Sequence, residues 1–131
     1  MTWNLNSDRP IYAQILDQIT TRIICGIYEP GEKLPSVRDL AVEAGVNPNT
    51  MQRAFAQLEQ SGLIKTFRGN GRTVTEDINM IEKVKHDIAL TQIKEFFKNM
   101  KELGFSNEMI FPLLHMLAAI LKTLTYGRVS L

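Results

Sequence analysis

The hydrophobic pattern of this chain changes period twice, from helical to extended and back to helical. Ile11, Ile15, Ile19 and Ile23 recur every four residues, and Leu16 and Ile24 widen the stripe. Together they predict an amphipathic helix from Pro10 to near Gly26. Glu29-Pro30-Gly31-Glu32 then reads as a turn. Ser36 is placed to cap a short second helix from Val37 to about Ala44, with Asp39 near its positive end and Gly45 closing it. Asn47 caps a third helix with Pro48 in its first position. There Met51, Ala54, Phe55 and Leu58, at i, i+3, i+4 and i+7, form one buried face that ends at Gly62.

Two short β-prone runs follow, Leu63 to Phe67 and Arg72 to Thr75, joined by Arg68-Gly69-Asn70-Gly71. Asn-Gly is a strong hairpin signal. After Glu76 the helical period returns. Ile81, Val84, Ile88, Ile93, Phe96, Phe97 and Met100 predict a long helix ending near Gly104. Ser106 starts a last helix, in which Pro112 is expected to introduce a bend or a second start. Met1 to Ser7 shows no period and reads as a short arm. The fold class is therefore mostly α with a small β-hairpin: a winged helix-turn-helix over residues 1–75, then a two-helix dimerisation region over 76–131.

Composition narrows the classes. With 44% hydrophobic and 22% charged residues, the chain has the balance of a globular domain rather than a disordered one. A net charge of +1 gives no support for nucleic-acid binding, but its distribution does. Between Val46 and Thr75, Arg53, Lys65, Arg68 and Arg72 face only Glu59. The single cysteine, Cys25, excludes an internal disulfide and reads as a small buried apolar residue at a helix end. The first twenty residues lack a signal peptide, and no unbroken apolar run reaches the roughly 18 residues of a membrane span. A cytoplasmic location and no membrane partner are expected. His86 and His115 are isolated, and neither a catalytic set nor a phosphate-binding glycine loop occurs. Neither enzyme activity nor a metal or other cofactor is expected.

A recognition helix must bury one face and offer the other to base edges. The face opposite Met51, Ala54, Phe55 and Leu58 carries Asn47, Asn49, Thr50, Gln52 and Arg53. Asn and Gln pair with adenine and Arg with guanine, while helix N-terminal amides suit phosphate oxygens. Arg68 and Arg72 beside two glycines let the hairpin tip approach a phosphate or the minor groove. Each feature also has a structural reading: Asn47 as a cap, Arg53 as a solvated charge, Gly69 to Gly71 as a turn. Their occurrence in this order favours double-stranded DNA. A protein-interaction module and a non-specific architectural DNA binder are the alternatives.

These motifs resemble a known family. Gly26-Ile-Tyr-Glu-Pro-Gly-Glu-Lys-Leu-Pro-Ser-Val-Arg-Asp-Leu-Ala, Val46-Asn-Pro-Asn-Thr-Met-Gln-Arg-Ala-Phe and the Arg68-Gly-Asn-Gly hairpin are similar to the DNA-binding part of GntR-family regulators. The resemblance implies DNA contacts by Ser36 and Arg38, by Asn47, Asn49, Thr50, Gln52 and Arg53, and by Arg68 and Gly69. The wing departs from the family's common Gly-x-Gly-Thr-(Phe/Tyr)-Val, since Arg72 stands where threonine is usual.

Residues 76–131 are too few for a ligand-binding bundle or an aminotransferase-like domain. In size and helix pairing the chain resembles the YtrA-type subfamily, which implies dimerisation through C-terminal helices and repression of transporter-type genes. The pattern itself points to a homodimer. Ile110, Leu113, Leu114, Leu117, Ile120, Leu121 and Leu124 span an arc too wide for one partner helix to cover. Packing on the chain's own winged helix is the alternative. A two-fold dimer places two recognition helices about one DNA turn (roughly 34 Å) or a longer spacing apart, hence a palindromic operator. Phe96, Phe97, Met100, Phe111 and Met116 are either core or the lining of a small effector pocket; the effector itself is left unassigned.

Overall fold

The computed structural model of the chain describes residues 2–69 and 71–129, with the side chains of the last helix described as far as Thr125. Met1 of the arm and Asn70 of the hairpin turn lie outside the described residues. The order of elements is α1 (Ile11–Ile24), α2 (Val37–Ala44), α3 (Pro48–Ser61), β1 (Ile64–Phe67), β2 (Gly71–Val74), α4 (Ile78–Glu102) and α5 (Asn107–Val129). Two compact units result, Met1–His86 and Asp87–Leu131, so the first unit takes in the opening turns of α4 as well as the wing.

The core of the first unit is where the periodicities converge. Ile15, Ile19 and Ile23 of α1 meet Leu40 of α2, the Met51, Ala54, Phe55 and Leu58 face of α3, and Ile64 and Val74 of the hairpin. Ile81 joins them from α4. The caps form as the residue types dictate. Ser36 Oγ accepts from the Asp39 amide at 3.0 Å and Asn47 Oδ1 from the Asn49 amide at 2.7 Å. Gly45 ends α2 with φ +69°, the left-handed conformation that reverses the chain between α2 and α3.

Three features exceed what the pattern predicts. First, the segment read as a turn at 29–32 continues into an edge strand. The Gly31 amide donates to Val74, Val74 to Glu32 and Leu34 to Arg72, so residues 31–34 flank β2 on the side away from β1. Second, the arm is tied down. Gln18 pairs with both backbone polar groups of Asn4, and Gln14 with both of Asn6, so two glutamines one helical turn apart act as the arm's partner strand. Third, Arg22 is buried, only 2% exposed, beneath the Trp3 ring (3.9 Å to its centroid) and bonded to the Tyr28 hydroxyl at 3.1 Å. Glu43 lies 4.0 Å away, and Arg22 Nε and Nη2 find no hydrogen-bond partner among the described residues. Cys25 is exposed rather than buried, because α1 stops there and the chain turns off the core into Gly26.

In the second unit α4 and α5 are joined through Leu103–Ser106. Ser106 O accepts the Met109 and Ile110 amides, which starts α5. Glu108 is held below the usual carboxylate range by its own backbone amide and by the Ser106 hydroxyl. Helix α5 runs through Pro112 as one element, so the second start expected there does not occur. Ile110 is fully buried, Leu113 and Leu114 are half-buried, and Met116, Leu117, Ile120, Leu121 and Leu124 are each at least 50% exposed. Asn107–Thr125 has a mean hydropathy of 1.4 and is long and apolar enough to cross a membrane. No unbroken apolar run of that length occurs, and the helix meets the criterion only on its average. Glu108, Pro112, His115 and Lys122 interrupt the apolar letters but leave the average high.

Candidate nucleic-acid interface

Helix α3 separates cleanly into two faces. Met51, Ala54, Phe55 and Leu58 are fully buried, whereas Asn47, Asn49, Gln52 and Arg53 are exposed and Thr50 is half-buried. Ala56, also exposed, lies on the outward side one turn beyond Gln52, where its small side chain leaves room for a groove wall. The α3 N-terminus, the side that a helix-turn-helix inserts into the major groove, is therefore polar and sterically open.

The cations are not equivalent. The Arg53 guanidinium lies over the Tyr12 ring, its Cζ 3.6 Å from the centroid, and Ile11, Tyr12, Asn49, Thr50 and Arg53 line a shallow depression between α1 and the start of α3. Arg72 is committed differently. Its Nε donates to Glu59 Oε1, its Nη2 to Gln52 Oε1 at 3.4 Å, and its Cζ sits 5.4 Å from the Phe55 ring centroid. The Glu59 carboxyl is held below its usual range chiefly by the Arg72 hydrogen bond, with a further one from Thr66. Within one chain Arg72 thus ties the wing to α3. Arg68 and Gly69 are exposed at the hairpin tip, where Gly69 has φ +83° and open space at its Cβ position.

A family model, that of the bacterial regulatory proteins of the gntR family, matches residues 11–74. The HTH-type transcriptional regulator YhcF of Bacillus subtilis is 40% identical over 121 residues, 92% of this chain and 94% of YhcF. This chain belongs to the GntR family. The HTH-type transcriptional repressor YtrA of Bacillus subtilis is 41% identical over 96 residues, 72% of this chain and 70% of YtrA, so the relatives include the YtrA type. Among solved structures, a GntR family transcriptional regulator from Listeria monocytogenes has a TM-score of 0.79 at 43% identity, covering 86% of this chain and 98% of that one. The AraR DNA-binding domain in complex with operator ORE1 has a TM-score of 0.50 at 30% identity, covering 57% and 94%.

In this GntR-family chain the ten residues singled out from sequence all lie in the first unit, on α3, the start of α2 and the wing. Ser36 and Asn47 use their side-chain oxygens as helix caps, and Arg38 is exposed on α2. Sequence reasoning missed three neighbours. Tyr12 falls within the first helix without standing out in the pattern, although its ring carries Arg53. Phe67, 50% exposed beside Arg68, is an aromatic at the wing tip. Lys33 reaches Gly71, its Cε 3.4 Å from where a Cβ would stand there, and this follows from the unforeseen edge strand.

Of the aromatic and methionine set in the second unit, Phe97 packs against Phe96 and Phe111 with centroids 5.7 and 6.0 Å away. Phe96, Phe111 and Met116 are exposed, so the set is not a closed core. The groove on α4 is lined instead by Ile93, Lys94, Phe97, Lys98, Lys101 and Glu102.

Proposed function

We propose that this chain is a cytoplasmic, dimeric, sequence-specific DNA-binding repressor that recognises a palindromic operator with Asn49, Thr50, Gln52 and Arg53 of α3 and with the wing. The observation that carries this reading is the two-faced α3. Its buried face is complete within the unit, and its open face holds amide and guanidinium groups suited to base edges and phosphates. The fold shared with an operator-bound AraR domain supports DNA as the partner, and the similarity to the repressor YtrA supports repression. The YtrA resemblance supports a transporter-type operon as the target. The exposed apolar side of α5 supports a second copy of the chain as the other partner, and the reading contains no catalytic step.

Selection of bound sequences from random duplex DNA at near-physiological salt tests the reading. Enrichment of one inverted repeat is expected, its half-site spacing giving the distance between recognition helices. Binding that fades with salt and yields no consensus would point to an architectural protein instead. Arg53→Ala is expected to weaken operator binding by about 1–3 kcal/mol in a fluorescence anisotropy titration. Unchanged affinity would favour the protein-interaction module.

A further inference from the structure

We infer that Arg72 sets the base preference of the recognition helix by turning the Gln52 carboxamide so that its NH2 group, not its carbonyl oxygen, meets the DNA. The inference rests on the DNA-reading function proposed above and assigns a role to the residue at which this wing departs from the common family pattern. A free glutamine is ambidextrous. It pairs with adenine by accepting from N6 and donating to N7 at once. Gln52 is not free: its Oε1 faces Arg72 Nη2 at 3.4 Å. A guanidinium only donates, so the reversed amide would set N–H against N–H beside a positive charge.

Arg72 is itself held in place. Its Nε is bonded to Glu59 by a charge-assisted hydrogen bond, and its guanidinium lies over the Phe55 ring. Gln52, Phe55 and Glu59 stand at i, i+3 and i+7, along the one stripe of α3 that faces β2. Thr66, opposite Arg72 in the hairpin, is a further cause that holds the Glu59 carboxyl below its usual range. Glu59 and Phe55 hold Arg72 in place before any DNA arrives, and the orientation of Gln52 follows from it.

Arg72 takes one of the two lone pairs of Oε1 and turns the carbonyl toward the wing, so the group that Gln52 presents to the groove is its NH2. Guanine O6 and N7 and thymine O4 are acceptors that match them, whereas adenine presents an N6 donor that loses its counterpart. Loss of one such hydrogen bond corresponds to discrimination of about fivefold.

The test is a set of parallel selections from random duplex DNA with full-length wild type, Gln52→Ala, Arg72→Thr and the double variant. The operator position that Gln52→Ala flattens is the one under Gln52. Wild type is expected to carry guanine or thymine there. Arg72→Thr is expected to raise adenine at that position about fivefold relative to wild type, and the double variant to be as flat as Gln52→Ala. Arg72→Lys keeps a cation for Glu59 but lacks the fork that reaches Gln52, so it should shift the position as Arg72→Thr does even if the threonine variant folds poorly. Adenine in the wild-type consensus at that position overturns the inference. So does an Arg72→Thr or Arg72→Lys profile that loses affinity on all sequences without moving that base, since this is what a merely structural strut would do. A Gln52→Ala profile identical to wild type overturns it as well. Failure of the wild type itself to select any consensus overturns the DNA-reading function along with it, and is recognised because it appears before any substitution is made.

Discussion

A Leu117→Asp chain is expected to sediment as a monomer at micromolar concentration and to bind the palindromic operator about a hundredfold more weakly than wild type. Leu117 is 50% exposed in the single chain, flanked by Met116, Ile120, Leu121 and Leu124, which are exposed to a similar degree. Burying a leucine against a partner contributes about 1.5–3 kcal/mol. An unpaired carboxylate in the same place adds a desolvation cost of several kcal/mol. In a two-fold interface each substitution counts twice. The loss of operator affinity follows because two linked reading heads gain from effective concentration what one does not. Leu117 lies outside the core of the first unit, so the melting of that unit is expected to stay unchanged. Retention of the dimer would place the interface elsewhere. A wild-type chain that stays monomeric and partitions onto lipid vesicles would assign the apolar side of α5 to a bilayer.

The second large effect concerns the core of the first unit. Phe55→Ala is expected to destabilise it by about 3–5 kcal/mol, read from the midpoint of urea unfolding. Phe55 is 0% exposed and packs within the cluster formed by α1, α2, α3 and the hairpin. Removing the ring leaves a cavity there and takes away the surface on which the Arg72 guanidinium lies. Since domains of this size are stable by only about 5–15 kcal/mol, the loss approaches the whole margin. A change below about 1 kcal/mol would mean that the neighbouring side chains close over the site.

Local rules account for what was legible in the sequence. The four-residue spacing of Ile15, Ile19 and Ile23, the caps at Ser36 and Asn47, and the glycine at 45 each act within one turn of helix, and each is realised as written. What was not legible depends on partners far along the chain. The pairing of residues 31–34 with β2 needs the hairpin to be in place before its edge can be filled. Arg22 becomes a buried residue only because Trp3, nineteen positions earlier, folds back over it. At the interface, the candidate residues were identified by type, but their orientation was not. Arg53 lies on Tyr12 and Arg72 on Glu59 and Gln52, contacts between elements that no periodicity encodes. In α5 the apolar letters were plain, yet which of them the chain covers itself was not. Ile110 is taken up in its own packing, and the exposed side begins further on.

The division of the core also bears on how the molecule comes off the ribosome. Every member of the main hydrophobic cluster, from Ile15 to Ile81, is synthesised before α5 begins at Asn107. The reading head can therefore complete its fold while the adhesive helix is still in or near the exit tunnel, as N-terminal domains generally do. On the proposed dimeric reading, assembly with a second copy is the final, concentration-dependent step of biogenesis. A cell holding few copies would contain finished but solitary heads, and repression would switch on steeply as the protein accumulates.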